Sequence, residues 1–412
     1  MKILFLILKC FTILAALSAL IITAYVCLHP AFGGKPDAAS LARIRASRYY
    51  DGTAFHNLEP TRLMTPDGKN HTTLDWLRGY FNPPAGKNPA APLPSEPLRA
   101  DTLQDGRLAW FGHSTVLSQM AGKRLITDPV FYRATPLPFG GAPFPQTHPT
   151  LPADLPPLDA VLLSHDHYDH LDYRAIRELD PKVGHYYVPL GVKAHLQRWG
   201  VADNKITELD WYEEAALGDI RLTLTPARHF SGRNFTNRNS TLWGSWVVQS
   251  PACRLFYNGD SGYGAHFAAI GERFGPFDIV LMENGAYNSQ WADIHMQPEQ
   301  SVQAALDVGA KTVLPYTGRN TTFPAIPGAS PSSASARRRQ PPRLLWRRPT
   351  PAKSSTTASR RSGRGGRKCR DAPPRRLAPI PSATTLTETY IKKNSATVII
   401  AQNFTPNHRK TR

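Results

Sequence analysis

The sequence has 412 residues, of which 41% are hydrophobic, and this length is sufficient for one large domain or two smaller ones. Its formal net charge is +18, but residues 331–412 contain 20 Lys and Arg and only 2 Asp and Glu. Residues 1–330 contain 29 basic and 29 acidic residues and are neutral overall, so no nucleic-acid partner is expected for this part of the chain. The four cysteines are too few and too scattered for a disulfide framework or a thiolate zinc site.

Residues 1–29 contain the first predicted element. Lys2 and Lys9 precede an unbroken apolar stretch from Cys10 to Leu28. Its length is close to the roughly 20 residues that cross a bilayer, and it exceeds the roughly 7–15 residues of a signal-peptide core. We therefore predict a single-pass membrane anchor, with a removed signal sequence as the alternative. Basic residues on both sides leave the orientation open.

Residues 30–106 are rich in Pro, Gly and Asn, which predicts an irregular lead-in with short helices. Beyond it, "RLAWFGHSTVLSQM" and "KRLITDPVF" predict a pair of strands. "LDAVLLSH" is a short apolar run that ends in polar residues, as is typical of a buried strand that opens into a site. Further strand and helix patterns alternate as far as "KTVLP". We predict a layered α/β domain over residues 107–318 with its site at one edge.

Residues 319–412 differ in composition and hydrophobic pattern from the rest of the chain. They have no hydrophobic period and are dominated by Arg, Pro, Ser, Gly and Ala. Such a stretch cannot bury enough apolar surface to fold, so it is predicted to be a disordered basic tail.

The segment "SHDHYDHLD", residues 164–172, follows the predicted buried strand. Alternate residues of an extended chain point the same way, so His165 and His167 can bind one ion together. Asp169 and His170 lie just beyond, where the backbone turns, and can reach a second ion. Imidazole suits zinc, and a carboxylate adds negative charge. Two adjacent divalent ions lower the pKa of a shared water, so the pattern predicts a metal-dependent hydrolase.

The sequence here resembles a known family. "WFGHST", "TDPVF", "SHDHYDHLD", "PARHFSGR", "LWGSWVV", "NGDSGY", "GAY" and "HMQPEQ" occur in the order seen in the N-acyl-phosphatidylethanolamine-hydrolysing phospholipase D branch of the metallo-β-lactamase-fold hydrolases. The resemblance spans about residues 107–315. It implies an αββα sandwich whose C-terminal part is incomplete, preceded here by the predicted transmembrane helix.

The resemblance also implies a two-zinc site. One zinc ion would be held by His165, His167 and His229, the second by Asp169 and His170, with Asp260 bridging both. The implied catalytic residues are Asp169, Asp260 and His295, the last of them near the reacting phosphate. His113 and Asp128 are expected to orient the ligands. Iron and manganese remain alternatives to zinc, because sites of His and Asp accept several metals.

One ligand of the family pattern is missing. The family has a last histidine in a short "L-P-x-H-W" segment, whereas this chain has "VLPYTGRNTTF". If translation is shifted to begin at the third base of the Tyr316 codon, the possible codons can encode His-Trp. Further along the same frame they can encode Pro-Trp-Arg-Glu-Pro, and the family has a similar segment after its last ligand. We therefore hypothesise that one lost nucleotide shifted the frame after about Pro315, which would also explain the Arg-rich and Pro-rich tail. The alternative is a genuine basic tail that binds anionic lipid or nucleic acid.

These observations together predict a membrane-anchored, zinc-dependent phosphodiesterase of phospholipase D type, in which a water ionised by the metals attacks phosphorus. The expected partners are the membrane and a lipid or small phosphorylated substrate. If the protein is bacterial, the hydrolase domain is expected to be periplasmic or extracytoplasmic. The alternatives are a lactonase or another hydrolase of the same fold, and an inactive membrane protein. A nuclease is disfavoured by the neutral body. The oligomeric state is left open.

Overall fold

The computed structural model describes residues 2–65, 89–100, 103–234, 236–284 and 288–316. Its first element is helix α1 (Lys2–Leu28), in which no residue is buried. Among the described residues, α1 is the one helix whose length and composition would allow it to cross a bilayer. A shorter helix, α2 (Ala38–Ala46), begins at Asp37, whose side chain accepts from the Ser40 amide. The described part of the lead-in therefore contains a short α-helix.

Two six-stranded sheets form the centre of the fold. The first sheet has the order β1-β2-β3-β4-β5-β6, with β1–β3 antiparallel to one another and β3–β6 parallel. Its strands are β1 (Leu108–Gly112), β2 (Thr115–Met120), β3 (Lys123–Thr127), β4 (Leu158–Leu162), β5 (Val183–Pro189) and β6 (Ile206–Leu209).

The second sheet has the order β12-β11-β10-β9-β8-β7. Strands β7 to β10 are antiparallel, and β10, β11 and β12 are parallel. Its strands are β7 (Glu214–Leu217), β8 (Ile220–Thr225), β9 (Ser245–Gln249), β10 (Arg254–Tyr257), β11 (Ile279–Glu283) and β12 (Val313–Tyr316).

Four helices cover the outer faces of the sheets. They are α3 (Tyr173–Leu179), α4 (Lys193–Arg198), α5 (His266–Phe274) and α6 (Pro298–Asp307). Successive strand side chains point to opposite faces, so Leu162 packs between the sheets and Val161 packs with α3 and α4. On the second sheet, Leu281 lies in the inter-sheet core and Val280 packs with α5 and α6. The predicted αββα sandwich is thereby confirmed.

Some elements differ from the sequence prediction. The two predicted N-terminal strands are three, because the chain turns at Gly112 and His113, which have φ values of 108° and 46°. The sequence analysis also did not single out β5, β6, β7, α4 or α5. Residues 317–412, which include the proposed basic tail, lie outside the described part of the chain.

Candidate metal centre

The loop between β4 and α3, residues 163–172, carries four of the predicted ligands. Its first turn is fixed by Ser164, whose amide donates to Oδ1 of Asp128 at 2.7 Å. Its end is fixed by Asp172, whose carboxylate accepts from the Arg174 and Ala175 amides and caps α3. Asp128 follows β3 directly and has a φ of 33°, a left-handed conformation that non-glycine residues adopt at a cost. The loop is therefore held at both ends.

Three histidines form the first cluster. Nε2 of His165 lies 2.9 Å from Nδ1 of His167, and Nε2 of His229 lies 3.2 Å from the same Nδ1. His229 comes from the segment after β8, in the second sheet, so the cluster joins the two sheets at one edge. Two imidazole nitrogens bound tetrahedrally at about 2.0–2.1 Å from zinc would be roughly 3.4 Å apart. The spacing observed here fits a shared ion.

In His165 and His229, the ring nitrogen that points away from the cluster, Nδ1, fixes the orientation of the imidazole. Nδ1 of His229 donates to the Ile294 carbonyl at 3.0 Å, which leaves a lone pair on Nε2 facing the cluster. Nδ1 of His165 lies 2.9 Å from Oγ of Ser164, whose own proton is donated to Asp128. A histidine that donates its Nδ1–H in this way presents its Nε2 lone pair to a metal.

The second cluster contains the remaining predicted ligands. Nε2 of His170 lies 3.0 Å from Oδ2 of Asp260, and Nδ1 of His170 donates to Oδ2 of Asp128 at 2.7 Å. Nε2 of His113 lies 3.3 Å from Oδ2 of Asp169. The structure thus brings His113, Asp169 and His170 together, with ligand atoms within 4.8 Å of one another. His113, expected to orient a ligand, is close enough to be one.

Asp260 stands between the two clusters. Its Oδ2 lies 3.0 Å from His170 and 4.0 Å from Nε2 of His229. It follows β10 after Gly259, where a Cβ would come within 2.7 Å of the Ser164 side chain and 2.9 Å of the Gly244 carbonyl. Gly259 has a φ of 62°, so glycine is required there on both grounds.

The donor set fits divalent ions. Oδ1 of Asp260 and Nδ1 of His113 are buried and have no hydrogen-bond partner among the described residues. Buried polar atoms rarely remain unsatisfied, and an ion is one of the partners that explains them. Imidazole and carboxylate donors in this number suit zinc, iron or manganese.

The clusters shift the pKa values of their members in opposite directions. Burial, followed by the charge of neighbouring histidines, lowers the pKa of His165 and His229 well below the ordinary value of 6.5. Burial also acts to lower the pKa of His170, but the charges of Asp260 and Asp169 outweigh it and raise that pKa well above 6.5. Burial acts to raise the pKa of Asp260, yet the charge of His170 brings it well below its usual range. At neutral pH, His165 and His229 therefore present lone pairs.

His295 lies beside the first cluster, and its ring centroid is 5.1 Å from that of His229. Its Nδ1 is 2.5 Å from Oε1 of Glu283, at the end of β11, and 4.0 Å from Oδ2 of Asp260. Burial raises the pKa of Glu283 to about 7. The sequence analysis missed Glu283, because a single carboxylate at the end of an apolar strand has no distinctive local pattern.

A second missed group supports the ligand loop from behind. Asp166, between the first two histidines, accepts from the Gly232 amide at 2.7 Å and lies 3.3 Å from Nε2 of His195. Arg233 is buried and donates to the carbonyls of Asp166 and Leu171. Both His195 and Arg233 also contact the segment that follows α1, as described below.

Four aromatic residues of the sequence could line an apolar channel for acyl chains or, alternatively, pack in the core: Trp211, Tyr212, Trp243 and Trp246. The three tryptophans are buried in the inter-sheet core, and each indole N–H donates to a backbone carbonyl. Tyr212 is half-buried and packs against the same core. They are packing residues and not the walls of a channel. The "GAY" segment, residues 285–287, lies outside the described part of the chain.

Comparisons with known proteins give a family match and several similar proteins. The model of the family described as "Beta-lactamase superfamily domain" matches residues 123–316. An uncharacterised protein of Mycobacterium tuberculosis is 43% identical over 278 residues, which covers 66% of this chain and 74% of that protein. N-acyl-phosphatidylethanolamine-hydrolyzing phospholipase D 1 of Caenorhabditis elegans is 36% identical over 228 residues, 51% of this chain and 64% of that protein.

A shorter match concerns outer membrane protein RomA of Klebsiella pneumoniae. It is 49% identical over 106 residues, which covers 26% of this chain and 80% of that protein. The family match ends at residue 316, which is also the last residue that the structure describes. The family match and the described residues thus end at the same position.

Proposed function

The chain belongs to the metallo-β-lactamase superfamily of metal-dependent hydrolases, and on this premise we propose that it is a membrane-anchored, zinc-dependent phosphodiesterase of phospholipase D type. Its products would be a phosphatidic acid and a head-group alcohol. The observation that carries the substrate class is the 36% identity to the nematode enzyme, whose name specifies hydrolysis of an N-acyl-phosphatidylethanolamine. Because this chain covers 64% of that enzyme, its own substrate remains part of the proposal.

The two clusters supply the proposed metal ligands. The first ion would be held by His165, His167 and His229, the second by Asp169 and His170, and Asp260 would contact both. When bound, two such ions supply hydroxide at neutral pH and stabilise the negative charge on the phosphoryl oxygens. The opposite pKa directions support this division, because His165 and His229 are already neutral, whereas His170 carries a proton that it shares with the carboxylates.

His295 is proposed to act on the substrate side of the centre. Its Nδ1 is engaged by Glu283 at 2.5 Å, which leaves Nε2 as the nitrogen that can face a phosphoryl oxygen. Burial acts to lower the pKa of His295, but the charge of Glu283 and the hydrogen bond to it outweigh burial and raise the pKa to about 9. A protonated imidazole at this place would donate to the developing phosphoryl charge, and Glu283 would hold the ring and its proton.

Helix α1 is proposed to anchor the enzyme in the membrane that contains its substrate. The helix has 27 residues, a mean hydropathy of 2.5 in its most apolar window and no buried residue. A soluble core helix of this composition would be buried, so exposure supports a lipid environment. An anchor that stays with the enzyme suits an amphiphilic substrate.

The second ion is proposed to lack one ligand in the chain as it is written. The described fold stops at Tyr316, whose hydroxyl donates to the Gly259 carbonyl next to Asp260. A base restored just before the Tyr316 codon would place His at position 317, the next residue in the sequence after β12. Sequencing of the gene, together with the mass of the expressed C-terminus, tests the hypothesis, and an uninterrupted frame as written would refute it.

The proposed activity is tested with the full chain in lipid bilayers, in both the written and the restored frame. The substrates are N-acyl-phosphatidylethanolamine, phosphatidylcholine, a lactone and a thioester, and bound metal is measured in parallel. We expect hydrolysis of a lipid phosphodiester that depends on metal. Lactone turnover without lipid turnover would reject the substrate class. Less than one metal ion per chain in both frames would reject the metal centre itself.

A further inference from the structure

The segment that follows α1 is attached to the hydrolase domain by several hydrogen bonds. The indole N–H of Trp199 donates to the Pro30 carbonyl at 2.7 Å, and the Gly34 amide donates to Nδ1 of His195 at 3.0 Å. The guanidinium of Arg233 donates to the Ala31 carbonyl at 2.9 Å. Because these donors and acceptors are largely buried, the exit of α1 has a fixed position on the domain.

The last turn of α1 is also attached. Arg198 donates to the carbonyls of Cys27 and Leu28 at 3.2 and 3.1 Å. The hydroxyl of Tyr25 donates to the carbonyl of Pro136 at 2.7 Å. The apolar stretch Cys10–Leu28 is close to the roughly 20 residues that cross the hydrocarbon core, and Tyr25 stands in its last turn. Tyr25 would therefore lie near the level of the lipid headgroups, where tyrosine is enriched.

Pro136 belongs to a compact loop of residues 133–142 (the 133–142 loop). It is closed by two hydrogen bonds, from Arg133 to the Gly140 carbonyl at 2.7 Å and from the Ala134 amide to the Gly141 carbonyl at 2.9 Å. At its tip, Leu137 is 39% exposed and Phe139 is 59% exposed. No Asp or Glu occurs in residues 129–149 of the sequence. A closed loop that presents exposed apolar side chains without acidic groups is suited to a bilayer interface.

We infer that the 133–142 loop is a second membrane contact, in which Leu137 and Phe139 enter the interface of the same bilayer that holds α1. This inference rests on the proposed membrane anchor. The hydrogen bond between Tyr25 and Pro136 places the loop at the depth where α1 leaves the hydrocarbon. Arg133, also exposed, would lie among the phosphate groups.

The contact would bring the metal centre close to lipid headgroups. The loop begins five residues after Asp128, which hydrogen-bonds to His170 and Ser164 in the centre. The Phe131 and Tyr132 amides donate to Asp172, at the other end of the ligand loop. The inferred membrane contact and the metal ligands therefore lie at the same edge of the sandwich, so a lipid phosphodiester would have a short path to the site.

The test uses the full chain with its native cysteines replaced, reconstituted in phosphatidylcholine and phosphatidylglycerol vesicles. An environment-sensitive fluorophore is attached at Phe139→Cys, and brominated lipids serve as quenchers. Leu137→Cys provides a second measurement in the loop. Phe11→Cys reports on the anchor, and Leu306→Cys, on α6, is the matched control because Leu306 is 55% exposed.

We expect the labels at positions 139, 137 and 11 to be quenched by brominated lipid, and the label at 306 to remain unquenched. Quenching at position 11 without quenching at 139 or 137 would overturn the loop contact and leave the anchor intact. Lack of quenching at position 11 would overturn the anchor and this inference with it. Quenching at 306 as strong as at 139 would also overturn the inference, because the fluorophore itself would then be seeking the bilayer.

Discussion

Glu283 and His295 form a buried pair at the edge of the metal centre, with Oε1 of the carboxylate 2.5 Å from Nδ1 of the imidazole. The Ser261 amide donates to the other carboxylate oxygen at 3.0 Å, and Ser261 directly follows Asp260. The pair therefore links Asp260, the proposed bridging carboxylate, to the histidine that is proposed to meet the substrate. Neither residue is solvent-exposed, and burial, the charge of the partner and the charge of Asp260 all shift their pKa values.

The first prediction concerns the Glu283→Gln variant. Glu283 raises the pKa of His295 to about 9, so His295 is protonated at neutral pH and loses its proton as the pH rises through that value. Glutamine removes the negative charge of Glu283, so the pKa of His295 falls. We expect the alkaline limb of the pH–activity profile to move to lower pH, and kcat at neutral pH to fall roughly 10²-fold.

The control for this prediction is Glu299→Gln, which changes an exposed carboxylate in the first turn of α6. This variant should keep the pH–activity profile of the parent enzyme. A Glu283→Gln enzyme with reduced activity but an unmoved alkaline limb would contradict the assigned role of the pair. Metal content must equal that of the parent, because loss of metal would reduce activity for another reason.

The second prediction concerns Asp128, which orients His170 without being a proposed ligand. Its Oδ2 accepts from Nδ1 of His170 at 2.7 Å, and its Oδ1 accepts from the Ser164 amide. Carboxylates that hold a ligating histidine typically contribute 10–100-fold to metal affinity, so we expect Asp128→Asn to weaken it by roughly that factor. The measurement is competition with a chelator. Asp159→Asn, in β4 and paired with Lys123, is the matched control and should leave metal affinity unchanged.

The third prediction is that the two metal equivalents differ in proton release. Burial keeps the pKa of His165 and His229 well below 6.5, so these ligands are neutral at pH 7 and bind an ion without losing a proton. The carboxylates hold the pKa of His170 well above 6.5, so the second ion must displace its proton. Below that pKa, the affinity for the second ion should rise roughly tenfold per pH unit, because one proton is released.

Calorimetric titrations of the metal-free, restored-frame protein in buffers of different ionisation enthalpy measure this release directly. We expect the first equivalent to be nearly independent of the buffer at pH 7 and the second to depend on it. Equal proton release for both equivalents would contradict the division of the ligands into two clusters.

The sequence revealed the parts of the centre that are local in the chain. The histidines and aspartates of residues 165–170 follow an apolar strand within a few positions, and this short-range pattern is sufficient to predict their convergence. His229 and Asp260 were implied by the resemblance, and the structure brings them beside that loop. The inter-sheet packing of the tryptophans likewise agrees with the packing alternative.

The parts that could not be predicted depend on contacts between distant segments. Glu283 lies at the end of an apolar strand, and its partner His295 is separated from it by a loop, so no periodicity marks the pair. His195 looks like an ordinary residue of a short helix, and its role depends on Gly34, which is 161 residues away in the chain. The separation of β1 and β2 was hidden because the turn between them has only two residues, His113 and Ser114, and depends on positive φ values at Gly112 and His113.

The fourth prediction tests whether the segment after α1 supports the metal centre. Gly33 has a φ of 84° and a ψ of 179°, a conformation nearly restricted to glycine, and a Cβ there would lie 2.1 Å from Nδ1 of His195. In Gly33→Ala, His195 must move, which breaks its hydrogen bond with Gly34 and its contact with Asp166. We expect a lower melting temperature and metal affinity weakened roughly 10–100-fold, as for other groups that orient ligands.

Gly52→Ala is the matched control for Gly33→Ala. Gly52 also has a positive φ, of 99°, but nothing lies within 4 Å of the position of its Cβ. Its substitution therefore carries the backbone cost of about 1–2 kcal/mol without displacing a neighbour. Chelator competition on both folded variants separates the two effects, because backbone strain alone lowers stability and leaves metal affinity intact. Equal metal affinity in the two variants would mean that the segment after α1 attaches the domain to the helix without affecting the metal ligands. It would also mean that displacement of His195 does not displace the ligand loop.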